Sequence, residues 1–231
     1  MPRRTPTNAL AFKRRLLRWF RQEGRDLPWR ETRDPYRVLV SEIMLQQTQV
    51  ARVQAFYPSF LAAYPTLTAL AQAPWSGVRE HWEGLGYYRR AANLHRLAQI
   101  VRDEHQGQIP AEPSALRRLP GIGRYTAGAV ASFAFERRVP AIDTNALRVL
   151  QRVFHPRGTR AGPSKLARKI EHLAIHLLPR RRSTAWEFNQ ALMDLGALVC
   201  RARRPLCSTC PVRPACRTGR SARRRSGGQP H

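Results

Sequence analysis

No run of apolar residues in this chain is long enough to cross a bilayer, and no lipidation signal or amphipathic anchor with a Trp/Phe face takes its place. Those absences set a membrane-bound protein aside. The chain opens on Met1-Pro2-Arg3-Arg4 rather than on a signal peptide, so a cytoplasmic, reducing compartment is expected. Acidic residues are scarce: 15 Asp+Glu stand against 41 Lys+Arg, a formal net charge of +26. A field of that sign attracts polyphosphate, which makes nucleic acid the expected partner. Lysine is nearly missing too, represented by Lys13, Lys165 and Lys169. Such an arginine preference also follows genome base composition, so the sign of the charge informs more than its size.

Alternating strand-like segments are absent as well. Apolar residues recur at helical spacing instead, as in Leu10, Leu16, Leu17 and Phe20, in Leu94, Leu97, Ile100 and Val101, and in Leu166, Ile170, Leu173 and Leu177. Gly24, Pro58, Pro65 before Thr66, Pro74, Gly107, Pro110 and the stretch from Gly158 to Pro163 punctuate them as helix ends. The fold class is therefore all-α, about ten helices with short connections. A length of 231 residues suits one or two domains with a full core. The basic or Gly/Ser/Pro-rich tails, Met1 to Thr7 and Ser221 to His231, are expected to be disordered.

No cysteine precedes Cys200. The four cysteines, Cys200, Cys207, Cys210 and Cys216, are spaced Cys-x6-Cys-x2-Cys-x5-Cys among Arg201, Arg203, Arg204, Arg213 and Arg217. Four soft thiolate ligands in one loop suit a structural zinc or an iron–sulfur cluster. Disulfides are the bland alternative, which a chain with an adequate core does not need. Spacing alone does not separate zinc from a cluster.

In mid-chain, Leu119-Pro120-Gly121-Ile122-Gly123 runs into Arg124-Tyr125-Thr126-Ala127-Gly128-Ala129-Val130. A short helix ending near Arg118, a two-glycine turn and a helix of small residues make a helix–hairpin–helix. The glycines let backbone N–H groups approach a phosphate, and the helix N-terminus adds favourable partial charge, so Gly121, Gly123 and Arg124 are candidate DNA-phosphate contacts. An ordinary interhelical turn is the alternative. Asp143 lies in Val139-Pro140-Ala141-Ile142-Asp143-Thr144-Asn145, where an apolar stretch becomes a helix, and could simply cap it. Glu42 sits in Val38-Leu39-Val40-Ser41-Glu42-Ile43-Met44-Leu45, a helix apolar enough to raise its pKa and let it hold a proton near neutrality. A place on a polar helix stripe is the other possibility.

Seven blocks follow in the order and spacing of one known family. They are Leu27-Pro28-Trp29-Arg30, Ser41 to Val50, Gly84-Leu85-Gly86-Tyr87-Tyr88, the hairpin, the Asp143 segment, Phe188-Asn189-Gln190-Ala191-Leu192-Met193-Asp194-Leu195-Gly196, and the cysteine loop. From about Leu10 to Cys216 the chain resembles MutY-type adenine DNA glycosylases of the endonuclease III, or helix–hairpin–helix, superfamily. The resemblance implies a two-domain all-α fold. Residues 26–137 would form a six-helix barrel carrying the hairpin, residues 1–25 and 138–220 a discontinuous helical domain with a [4Fe-4S] cluster on Cys200, Cys207, Cys210 and Cys216, and residues 221–231 a tail.

Carried over by position, the resemblance makes Glu42 the acid that protonates the adenine leaving group and Asp143 the carboxylate that stabilises the cationic sugar. Asn145 would orient Asp143, and Tyr125 would line the catalytic face. Cleaving a purine glycosidic bond builds positive charge on the sugar and negative charge on the base, so one protonated and one ionised carboxyl are wanted. The target base must leave the duplex. Gln47 and Tyr87 resemble the residues that wedge into the stack, and Trp29, Arg30, Leu45, Gln190 and Met193 those around the flipped base; core packing remains open for Trp29 and Leu45. The implied partner is double-stranded DNA with a mispair, bound by a monomer.

Bifunctional relatives carry a lysine at the Tyr125 position, so a monofunctional hydrolase is implied. Relatives that remove thymine or uracil opposite guanine share the tyrosine. The family usually has Gly or Ala at the position of Thr144, a departure in this chain that leaves the carboxylate in place. The chain stops fifteen residues after Cys216, where longer family members continue into a domain that reads 8-oxoguanine; a truncated chain or a naturally short member is the expectation. Adenine opposite 8-oxoguanine or guanine is the expected substrate. A thymine/uracil mismatch glycosylase and a non-catalytic iron–sulfur DNA-binding scaffold are the alternatives.

Overall fold

Apolar residues at helical spacing settle the architecture: the computed structural model describes residues 6–154 and 163–220, and among them every regular element is helical. Eleven α-helices succeed one another: α1 (Ala9–Glu23), α2 (Pro35–Met44), α3 (Val50–Ala63), α4 (Leu67–Gln72), α5 (Trp75–His81), α6 (Arg89–Glu104), α7 (Pro113–Leu116), α8 (Arg124–Phe133), α9 (Thr144–Phe154), α10 (Pro163–Leu177) and α11 (Arg182–Asp194). The all-α expectation holds. None of these helices is long and apolar enough to cross a membrane. The chain divides into two compact units, one made of Asp26–Arg137 and the other of the segments before and after it.

In the unit of residues 26–137, α2 is the central element. Asp34 starts it by accepting the Arg37 N–H at 2.8 Å, with Pro35 at the first helical position, a residue whose missing N–H costs nothing there. Tyr36 and every residue from Val38 to Met44 are buried, because α2 packs on α3, α6 and α8 at once. The small residues of α8, Ala127, Gly128, Ala129 and Ala131, permit that close approach. Pro58 does not end its helix as expected: α3 continues through it to Ala63. The buried anchors Val53, Tyr57 and Phe60 outweigh the lost backbone hydrogen bond. Phe60 also meets Trp82 edge-on at 5.6 Å.

The other unit is built from α1, α9, α10 and α11. Phe12 of α1 packs edge-on against Phe154 at 5.3 Å and Phe188 at 6.3 Å. Ala9, Phe12 and Leu16 form the buried stripe; Leu10, expected on the apolar face, is 75% exposed because it falls about one hundred degrees round the helix from Ala9. Pro6 and Thr7, expected in a disordered tail, lie in the turn before α1, where Pro6 O accepts the Ala9 N–H. The expectations for residues 1–5 and 221–231, and for the helix break at 158–162, lie outside the described residues.

The end of α1 is tied to α11 across 169 residues of sequence: Arg25 donates its backbone N–H and guanidinium to the fully buried Asp194, the shortest contact being 2.6 Å. Removing one member of a buried ion pair leaves a costly charge behind. Arg25→Ala is expected to lower unfolding stability by about 2 kcal/mol, discounted because the arginine is partly exposed. Urea unfolding followed by circular dichroism checks this, and an unchanged midpoint would show that the pair adds nothing.

Candidate active-site carboxylates and a four-cysteine cavity

Glu42 lies in the third turn of α2, where helical spacing turns it inward: it is 4% exposed among buried apolar neighbours. The polar-stripe alternative is excluded. After α2 the chain turns through Leu45–Gln49, and Gln47 takes φ 57°, the left-handed region that side chains other than glycine rarely adopt. Tyr87 does the same at φ 51° in the loop between α5 and α6. Gln47 is exposed and Tyr87 is 60% exposed. Such backbone costs of order 1–3 kcal/mol and persists where surrounding contacts impose it. Among the described residues, Gln106 and Glu136 are the other non-glycine residues with positive φ. Trp29 is 6% exposed and meets Tyr57 edge-on at 5.5 Å, which is core packing; Arg30 and Leu45 are half-buried.

The hairpin forms with α7 ending at Leu116, two residues before the expected end. Gly121 takes φ 76°, and a Cβ there would lie 2.9 Å from Asn93, so both backbone and space require glycine. Gln46 donates to Gly121 O and to Thr126 Oγ1, tying the turn to the segment after α2. No side chain caps α8 at Gly123; Gly123 and Arg124 are exposed there, while Tyr125 is half-buried.

In the other unit, Asp143 does what the capping alternative asked and more. Its Oδ1 accepts the Ala146 N–H at 2.6 Å at the start of α9, while Oδ2 accepts from Asn145 Nδ2 at 2.9 Å. Asn145 Oδ1 in turn accepts from Arg148 Nη2 at 2.6 Å, and Arg148 Nε donates to Cys200 O at 2.9 Å. Hydrogen bonds thus run unbroken from the Asp143 carboxylate to the backbone of the first cysteine. Gly196 makes room for it: a Cβ there would lie 2.6 Å from Asn145 Cβ. Thr144 is exposed in the first turn of α9 and crowds none of this. Gln190 is buried on α11 and Met193 half-buried. Arg148 was missing from the candidates read from sequence, although its spacing of three from Asn145 is a helical signal.

Cys200, Cys207, Cys210 and Cys216 line one cavity with Val149, Val153, Leu195, Val199 and Val212. All four thiols are free, so the disulfide alternative fails. Burial pushes the Cys210 thiol up to about 11 and raises Cys216 as well, with the other cysteines adding to both. Arg152 Nη1 donates to Cys200 Sγ at 3.4 Å and Gly219 N–H to Cys216 Sγ at 3.3 Å. Arg152 also donates to the carbonyls of Cys200, Arg201 and Ala202, which holds the loop between the first two cysteines. Among the described residues no group of three or more His, Cys, Asp or Glu side chains is gathered closely enough to hold a metal ion.

Residues 40–174 match the model of the HhH-GPD superfamily base excision DNA repair proteins, and the chain belongs to that superfamily. Within it, the chain is 47% identical over 198 residues to a Mycobacterium tuberculosis adenine DNA glycosylase, covering 85% of this chain and 64% of the relative. The Homo sapiens adenine DNA glycosylase is 45% identical over 218 residues, covering 90% of this chain and 39% of that protein. The chain thus spans less than two thirds of the length of these curated relatives. A solved thermostable thymine-DNA glycosylase superposes with a TM-score of 0.85 at 30% identity, over 93% of this chain and 97% of that one.

Proposed function

We propose that the protein is a monofunctional DNA glycosylase that hydrolyses the N-glycosidic bond of adenine mispaired with 8-oxoguanine or guanine, acting as a cytoplasmic monomer. The observation that carries this assignment is the 47% identity with an adenine DNA glycosylase across 85% of the chain. The buried Glu42 supports it: a carboxyl among apolar side chains can keep its proton and deliver it to the departing base. Asp143 supports it as well, because Asn145 and the Ala146 N–H hold both its oxygens in place. A carboxyl group so held is ready to face the cationic sugar without reorganising. Tyr125, which cannot form a Schiff base, leaves water as the acceptor of the sugar. Gln47 and Tyr87 wedge into the stack as the base leaves it; Trp29, Arg30, Leu45, Gln190 and Met193 surround it, Trp29 as part of the core as well. Gly121, Gly123 and Arg124 contact phosphate.

Cys200, Cys207, Cys210 and Cys216 would hold a [4Fe-4S] cluster. Four thiols lining one apolar cavity, with Arg152 and the Gly219 N–H donating to two of the sulfurs, support a thiolate-held centre. When bound, the cluster would supply structural cohesion and, through its four thiolates, negative charge that offsets the Arg-rich loop, and no redox step is needed for hydrolysis.

One observation supports a second assignment. The solved thymine-DNA glycosylase superposes with a TM-score of 0.85 at 30% identity. A duplex panel carrying A·8-oxoG, A·G, T·G and U·G, incubated with the protein and then treated with alkali, decides between them. Strand breaks at adenine, and only after alkali, are expected. Breaks confined to T·G and U·G support the mismatch thymine enzyme, and no breaks with undiminished binding supports a scaffold.

A further inference from the structure

Arg90 is buried to 8% exposure, and none of its partners is a carboxylate. It sits in the first turn of α6, where the helix dipole disfavours a cation, so the helix itself gives no reason for it. Its contacts do. Nη1 donates to the carbonyls of Ile43 at 3.1 Å and Met44 at 2.6 Å, at the end of α2, and to that of Gln46 in the turn that follows. Nη2 donates to Thr48 Oγ1 at 2.9 Å and to Gly86 O at 3.1 Å. The guanidinium also lies over the rings of Trp82 and Tyr87, 5.5 and 5.3 Å from their centroids.

One planar fork therefore joins the two segments that carry the left-handed residues. Gln47 is bracketed by Arg90's bonds to Gln46 and Thr48, and Tyr87 by its bond to Gly86 and its stacking on the Tyr87 ring. Each loop alone would relax out of strained backbone; held to one rigid cation, neither does so without breaking its bonds. We infer that Arg90 is the positioning residue that sets Gln47 and Tyr87 at a fixed separation, so that the two enter the duplex as a single wedge. The inference rests on the proposed wedge roles of Gln47 and Tyr87. Lysine keeps the charge but lacks the fork, so it cannot span both segments.

The test uses the full chain and a duplex with 2-aminopurine beside an A·8-oxoG mispair, whose fluorescence rises as the neighbouring base unstacks. Arg90→Lys is expected to lower the rate of that rise and single-turnover excision by about tenfold or more, with affinity for matched duplex unchanged. Gln47→Ala and Tyr87→Ala are the controls. Tyr87→Ala combined with Arg90→Lys should be no worse than the worse single variant, since both act through one geometry; additive losses would show a merely structural arginine. Should Arg90→Lys fail to fold, Thr48→Val, which removes one Nη2 acceptor at constant shape, should give the same signature in weaker form. Losses in the controls with wild-type unstacking in Arg90→Lys, or in Thr48→Val where that stands in, overturn the inference alone. Wild-type unstacking in both controls overturns the wedge assignment and the inference together.

Discussion

Glu42→Gln and Asp143→Asn are each expected to lower single-turnover excision of adenine by about a hundredfold or more, while binding to a mispaired duplex survives. The two fail for different reasons. Glutamine fills the space of Glu42 inside α2 and keeps its capacity to hydrogen-bond, but it has no proton to give the leaving base, so the fall is a loss of general-acid catalysis. At Asp143, asparagine can still cap α9 through its carbonyl oxygen, so the helix should stand. Its amide nitrogen would then face the Asn145 amide, two donors in contact, and the negative charge opposite the developing cation would be gone. Asp143→Asn should therefore disturb the hydrogen bond from Arg148 to Asn145 as well, a loss that Glu42→Gln leaves untouched. Wild-type excision by Glu42→Gln would remove it from the role of acid.

The second large effect is expected at the cysteines. Protein purified without oxygen should be yellow-brown and contain about four iron atoms per chain. Stoichiometric zinc with no visible absorbance would overturn the cluster. Cys210→Ser should abolish the colour and lower both melting temperature and duplex affinity. The coupling has a visible cause: the cavity walls include Val149 and Val153 of α9 and Leu195, which belong to the core that buries Phe12 and Phe188. A cavity without its contents leaves those walls unsupported, and the loop that carries Arg201, Arg203 and Arg204 loses its anchor.

Where local spacing determines structure, the sequence was legible. Helical periodicity predicted the helices, the stop at Pro65 before Thr66 falls where Thr66 caps α4, and Asp143 stood out because an apolar segment turns helical there. Pro58 misled because propensity is local, whereas the burial of Val53, Tyr57 and Phe60 is set by other helices. The arginines were the least legible. In a chain with 41 basic residues, nothing local distinguishes Arg90 from a solvated arginine, because its partners Ile43, Met44 and Thr48 lie 42 to 47 residues away; Arg148 offers only its spacing of three from Asn145. Arg25 and Asp194, 169 residues apart, are the same case. The left-handed backbone at Gln47 and Tyr87 carries no glycine or asparagine to announce it.

The division of the chain also imposes an order of assembly. Asp26–Arg137 is continuous, so its helices find their partners as soon as that stretch has left the ribosome. Helix α1 has no such fortune: Phe12 needs Phe154 and Phe188, which follow more than a hundred residues later, on the order of ten seconds at ordinary rates of synthesis. During that interval its apolar stripe is a site for chaperones or for misplaced association. The four cysteines come later still, so the α9 and α11 partners of Phe12 are made before the cysteine loop is complete.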